Sequence, residues 1–147
     1  MERISRDKYF MKVASDTGER GTCTRLQVGC VIVGSNRIRA VGYTSSHKGT
    51  WHCMDKSCLM DDGHCVRCLH AEMAAVINME LIRDESLTAY VTHTPCIDCY
   101  KLLTARGVTR IIVKEEYGEL NSAYVQLTRE IRIPLLDFEY LISSEEG

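Results

Sequence analysis

The sequence predicts a three-layer α/β/α sandwich. Three observations carry that expectation: β-rich runs such as QVGCVIVG, LTAYVT and TRIIVK recur along the chain, stretches with helical apolar periodicity separate them, and 147 residues at 45% hydrophobic content can bury one core. A single domain spanning residues 1–147 is expected, because the chain has no internal repeat and no low-complexity tract, and its only prolines are Pro95 and Pro134.

Each element has its own justification. Ser5 can cap a first helix reaching about Arg20, with Phe10 and Val13 on its apolar side and Gly21 as the stop. QVGCVIVG and IRAVGY then read as a hairpin joined by SNR. Residues 44–69 lack apolar periodicity and are rich in Cys, His, Gly and Asp. Uncovered loops of that length are uncommon in small domains, so something is expected to pin this one. After it come a helix from about Ala71 to Ile82, the strand LTAYVT, a helix from about Ile97 to Arg106 and the strand TRIIVK. A last helix is expected over Ser122 to Ile131, with LLDFEYLI as a final strand.

Charge and cysteine usage narrow the function classes. A net charge of −2 gives no electrostatic footprint for a long nucleic acid or an anionic membrane, which leaves a small ligand or a single nucleotide. The opening MERISRDKYF lacks the apolar run of a secretory signal, and no stretch is apolar for long enough to span a bilayer, so a cytoplasmic protein is expected. In that reducing setting eight cysteines read as metal ligands, catalytic groups or buried thiols rather than as a disulfide framework.

Two short pieces carry the chemistry. His70-Ala71-Glu72 opens one expected helix and Pro95-Cys96-Ile97-Asp98-Cys99 opens another. Cysteines three apart share a helix face, so Cys96 and Cys99 can bind one ion while the helix N-terminus favours both thiolates. His70 is the expected third ligand. Three protein ligands leave zinc's fourth tetrahedral position open for water, which marks a catalytic rather than a structural site. Glu72 does not share the face of His70 and is expected to carry protons rather than to ligate. H-x-E followed by P-C-x-x-C is the zinc-deaminase signature.

With those residues in view, the chain resembles the deoxycytidylate (dCMP) deaminase family, of the bacterial late-competence and phage type. The resemblance runs through MERIS, GTCTRLQVGCVIV, WHCMDKSCLMDDGHCVR, HAEM and YVTHTPCIDC. Deaminases of tRNA adenosine and of the riboflavin pathway usually place Glu-Pro before the cysteine pair, whereas Thr94-Pro95 stands here. The resemblance implies a cytidine deaminase-like sandwich with a mixed five-stranded sheet, conversion of dCMP and water to dUMP and ammonia, and a homo-oligomer, often hexameric. It also leaves room for a nucleotide effector. Family members usually read G-Y-N-G where this chain has Gly42-Tyr43-Thr44-Ser45, and H-A-E-x-N-A where it has Ala74; near Tyr117 a basic residue and His-Pro are replaced by Gly118 and Leu120-Asn121. These departures touch nucleotide recognition and leave the zinc chemistry intact.

The remaining Cys and His residues are too many for one tetrahedral site. Some phage-type relatives carry a second, structural zinc, and their ligand positions match Cys23, Cys53, His64 and Cys68, with Cys58 or Cys65 as substitutes. Such a closed site would pin the long loop; reduced, buried or idle thiols are the plain alternative. Cys30, inside an apolar strand, reads as core. Val28, Thr44, Ala71 and Tyr117 are the candidate substrate contacts by family position, although a strand start and a strand-closing tyrosine also suit packing. Trp51 reads as a loop anchor, His47 and His52 as solvated or supporting groups, and Arg67 as a phosphate contact or a cap on a neighbouring subunit. Two other functions stay beside dCMP deamination: deamination of another cytosine substrate (a nucleoside, a modified nucleotide or a short single strand), and a non-catalytic zinc-stabilised scaffold. Glu72 counts against the scaffold, which needs ligands but no proton carrier.

Overall fold

Ser5 starts the fold as expected: its side-chain oxygen accepts from the Lys8 N–H at 3.2 Å and opens α1 (Arg6–Gly18). The computed structural model describes residues 1–81, 85–118 and 120–145. β1 (Gly29–Gly34), buried along its whole length, pairs antiparallel with β2 (Arg37–Tyr43). Ser35 (φ 50°) and Asn36 (φ 63°) both take left-handed backbone in the two-residue turn, as the twist of a tight hairpin requires.

The long segment is not bare loop. It holds β3 (Ser45–Ser46), the short α2 (Cys53–Lys56), a hairpin of β4 (Met60–Asp61) with β5 (His64–Cys65), and β6 (Cys68–Leu69), which pairs back onto β3. The chain continues through α3 (Ala71–Asn78), β7 (Leu87–His93), α4 (Ile97–Ala105), β8 (Val108–Glu115), α5 (Ser122–Ile131), β9 (Leu135–Asp137) and α6 (Phe138–Glu145).

The main sheet runs β2-β1-β7-β8-β9. Its β2-β1 and β1-β7 pairs are antiparallel and its β7-β8 and β8-β9 pairs parallel, so the sheet is mixed and five-stranded. One face packs Cys30, Ile32, Ala89 and Val91 against Ala71 and Ala75 of α3, Tyr100 and Leu103 of α4, and Tyr124 of α5. The opposite face packs Val31, Val33, Tyr90 and Ile112 against Phe10, Met11 and Ala14 of α1 and Phe138 of α6. The alternation along β1 and β7 divides the two cores, because successive strand residues point to opposite faces. Among the described residues no helix is long and apolar enough to cross a membrane.

Two expected boundaries are corrected. The helix opening at Ala71 ends at Asn78, since Met79 leaves it in extended conformation and buries its side chain in the core; Ile82 lies outside the described residues. LLDFEYLI is strand only as far as Asp137. There the Asp137 carboxylate accepts from the Glu139 N–H at 3.0 Å and starts α6, whose Phe138, Leu141 and Ile142 pack on the α1 side. The strand pattern in the sequence misses this because a local cap and a helical i, i+3, i+4 face take over.

A polar clamp ties α1 to the sheet. Arg110 holds both carboxylate oxygens of Asp7 at 3.1 Å, and the Tyr90 hydroxyl donates to Oδ1 at 2.6 Å. Burial raises the Asp7 pKa, but the Arg110 and Tyr90 bonds outweigh it and hold the carboxyl below its ordinary value. A depressed folded-state pKa adds stability above the unfolded value and loses it as pH falls through the folded one. Asp7→Asn is expected to destabilise the protein by about 1–3 kcal/mol at neutral pH, with the gap to wild type closing below about pH 4. Urea unfolding across pH checks both; a gap that does not change with pH would reject the role of the carboxylate charge.

Candidate metal and catalytic site

Two helices begin at one end of the sheet, and each begins on a metal-capable side chain. His70 is the N-cap of α3 and Cys96 the N-cap of α4, and neither side chain makes a capping hydrogen bond. His70 is delivered by β6, and Cys96 follows the end of β7 through the buried Pro95. α3 lies directly on β2, because a Cβ at Gly42 would overlap the Ala71 carbonyl oxygen; only glycine allows that approach.

The His70 Nδ1 lies 3.3 Å from the Cys99 Sγ and 3.5 Å from the Cys96 Sγ, and the three ligand atoms all lie within 4.8 Å of one another. A tetrahedral zinc with bonds of about 2.1 Å to nitrogen and 2.3 Å to sulfur needs N···S separations of about 3.5 Å. The donor set and its spacing therefore fit zinc. A hydrogen bond from Cys99 pulls the Cys96 thiol down to about 4, helped by His70. The same Cys96 raises the pKa of His70 against burial, while Cys96 and burial push the Cys99 thiol far up. Cys96 is thus the ready thiolate, and full ligation requires Cys99 to give up its proton.

Glu72 is 4% exposed at the first turn of α3, its carboxyl within hydrogen-bonding reach of Cys99 and in the field of His70 and Cys96. Burial raises its pKa. The arrangement offers three ligands and one adjoining carboxylate that can carry a proton.

A second cluster sits in the long segment. The Sγ of Cys53 lies 3.3 Å from that of Cys68 and 3.6 Å from that of Cys65, and these three also share one 4.8 Å neighbourhood. Tetrahedral zinc–thiolate geometry needs about 3.8 Å between sulfurs, so this group fits too. Cys58 stands outside this 4.8 Å group: its Sγ meets the Thr24 Oγ1 at 3.7 Å, and its pKa is raised overall, by burial and by the neighbouring Cys53 and Cys65, despite that contact. Of the four expected ligands, Cys53 and Cys68 belong to the cluster; Cys23 is buried and within electrostatic reach of Cys68; and His64 is exposed on β5 with Cys65 in the inward place. Adjacent strand residues face opposite ways, so His64 and Cys65 cannot both turn inward, and spacing alone could not choose between them.

Other expected residues are placed as follows. Cys30 is fully buried core. The Thr44 Oγ1 accepts from the Val28 N–H at 3.0 Å, while the two residues also pair N–H to carbonyl at 3.1 Å, so Thr44 fastens the entry to β1. Ala71 is fully buried beneath the site. Tyr117 is 57% exposed just past β8; its N–H donates to the Thr94 Oγ1 and its ring meets His93 edge-on at 6.2 Å. Trp51 is 63% exposed and stacks under the Lys56 ammonium at 4.8 Å, a loop contact. Arg67 donates to the Ser57 carbonyl at 2.7 Å and braces the thiol-rich loop.

Sequence reasoning passed over His93 and Tyr124. His93 Nδ1 meets the Thr92 Oγ1 at 2.8 Å, and that oxygen accepts from the Gly29 N–H at 3.1 Å, linking the β7 end to the β1 start. Its place just before Pro95-Cys96 was the available signal. Tyr124 gave none, since a tyrosine in the first turn of a distant helix reads as core.

Residues 4–115 match the model of the cytidine and deoxycytidylate deaminase zinc-binding region. The chain is 42% identical over 119 residues to ComE operon protein 2 of Bacillus subtilis, covering 80% of this chain and 63% of that protein. It is 33% identical over 124 residues to the deoxycytidylate deaminase of Saccharomyces cerevisiae, covering 78% of this chain and 39% of that one. The chain thus spans between about two-fifths and two-thirds of the length of these relatives. Among solved structures, the dCMP deaminase of cyanophage S-TIM5 in complex with dCMP and dUMP superposes with a TM-score of 0.74 at 25% identity, covering 93% of this chain and 99% of that one.

Proposed function

Because the chain belongs to the cytidine and deoxycytidylate deaminase family, we propose that it hydrolyses dCMP to dUMP and ammonia. The observation that carries this reading is the His70, Cys96 and Cys99 triad with the buried carboxylate of Glu72 against it. The complex of the phage relative with dCMP and dUMP supports the choice of nucleotide.

His70, Cys96 and Cys99 would hold the zinc, which when bound supplies Lewis-acid activation of water near neutral pH. Glu72 takes a proton from the attacking water and delivers it to N3 of the cytosine ring as oxygen bonds to C4. The second water proton reaches the exocyclic amine by the same carboxylate, the C4–N bond breaks, and ammonia leaves a C4 carbonyl. Burial of Glu72 keeps these transfers out of bulk solvent. Val28, Ala71 and Tyr117 stand on the same reading as substrate contacts, at the start of β1, the start of α3 and just past β8.

Thr44 favours a second reading within this chemistry. Its oxygen already accepts the Val28 N–H, leaving one hydroxyl hydrogen for a substrate where the family asparagine offers more. A site with fewer buried partners to leave unpaired discriminates less, so other cytosine nucleotides or nucleosides would be accepted beside dCMP.

We further assign a second, structural zinc to Cys53, Cys65 and Cys68, with Cys58 as the fourth thiolate. The spacings among the Cys53, Cys65 and Cys68 sulfurs support it, and Cys58, within electrostatic reach of Cys53, would close the site by moving in beside them.

Glu72→Ala is expected to retain zinc and fold while turnover of dCMP falls about 100- to 10,000-fold; near-normal turnover in the zinc-loaded variant would remove Glu72 from the mechanism. Elemental analysis of the wild type should find about two zinc ions per chain. His64→Ala should keep both and Cys65→Ala should lose one, whereas a single ion in the wild type would leave the thiols without a structural role.

A further inference from the structure

The peptide that delivers Cys96 to the site is locked from a part of the chain beyond the family match. Pro95 is fully buried, and its ring fixes φ, so ψ is the one soft dihedral leading into Cys96. Rotation about ψ swings the Pro95 carbonyl and moves the Cys96 Cα–Cβ bond with it. That carbonyl oxygen accepts a buried hydrogen bond of 2.8 Å from the Tyr124 hydroxyl.

Tyr124 is itself held firmly. It lies in the first turn of α5, where the Asn121 side chain accepts from its N–H at 2.8 Å, and its ring is 5.5 Å from that of Tyr100 on α4. Its side chain is nearly fully buried, and its hydroxyl lies in the field of Cys96, Glu72 and Cys99. The family match ends at residue 115, so the sequence motif gives Tyr124 no role.

We propose that Tyr124 is a positioning residue for the metal centre: its hydroxyl fixes the Pro95–Cys96 peptide and so holds the Cys96 sulfur at the place where it meets His70 and Cys99. The inference rests on the reading of Cys96 as a zinc ligand, and it makes α5 part of the active-site scaffold. Supporting groups that aim ligands typically contribute about 10- to 100-fold to metal affinity or activity.

The fold supplies a matched control. The Tyr100 hydroxyl also donates to a backbone carbonyl, that of Ile133 at 2.6 Å, between α5 and β9 and away from the ligand peptides. Tyr124→Phe and Tyr100→Phe each delete one such bond and should cost similar thermal stability. Zinc transfer from the purified protein to a chromophoric chelator separates them, with the catalytic-site phase identified as the one missing in His70→Ala. Tyr124→Phe should release that zinc about 10- to 100-fold faster and lower kcat with KM little changed, while Tyr100→Phe stays close to wild type. Equal release rates in the two variants would overturn the proposal. If Tyr124→Phe does not fold, Asn121→Ala removes the side chain that holds the Tyr124 N–H and loosens the tyrosine without deleting it; faster release of the catalytic-site zinc there supports the proposal and an unchanged rate overturns it. Release is read without substrate, so a wild type that binds zinc but leaves dCMP unchanged would defeat the proposed activity and still leave this test decisive.

Discussion

The structure depends on two helices starting at the same end of the sheet with metal-capable side chains in place of ordinary caps. A helix N-terminus leaves N–H groups unpaired and a partial positive charge, which Ser, Thr, Asp or Asn normally answer. At α3 and α4 those positions belong to His70 and Cys96. The positive end of α4 favours the Cys96 thiolate, the form a divalent ion needs, whereas the same thiolate raises the His70 pKa, so His70 must give up a proton to bind an ion. The rest of the fold brings these ends together. The β1-β2 hairpin gives α3 a glycine seat at Gly42, and the crossover from β7 to β8 places α4 beside it.

The thiol cluster bears on the same point from the other side. Cys68 begins β6, β6 pairs with β3, and His70 follows one residue after β6 ends. On the proposed assignment, a closed thiolate site would fix the register of that short ladder and hence the approach of His70. The long segment would then be ordered by metal rather than by apolar burial, which fits its composition. Tyr124 does the corresponding work for Cys96 by hydrogen bonding, so the two ligand-bearing peptides would be braced by different chemistry.

Much of this was legible in the residues. The hairpin, β7, α4, β8 and α5 announce themselves by periodicity and by turn residues, and the H-x-E and P-C-x-x-C pieces encode their cluster locally because each metal-capable side chain sits in or beside the first turn of a helix. The end of α3 was not legible, since the tertiary pull on Met79 competes with helix propensity. α6 was hidden because FEYLI satisfies a strand pattern as well as a helical one until Asp137 caps it. Which of His64 and Cys65 stands beside Cys53 depends on which face of a two-residue strand turns inward, and one residue of register reverses it. Tyr124 was illegible for a different reason: its hydrogen bond joins residues 29 apart, and nothing in the sequence near either partner signals the other.

The central claim is that this end of the sheet hydrolyses an amino group from a cytosine nucleotide. Incubation of the zinc-loaded protein with dCMP in heavy-oxygen water, followed by mass analysis of the nucleotide and assay of ammonia, tests it most directly. The account predicts dUMP with one heavy oxygen at C4 and one ammonia released for each dUMP formed. A folded, zinc-loaded protein that leaves dCMP and every other cytosine nucleoside or nucleotide unchanged would contradict it.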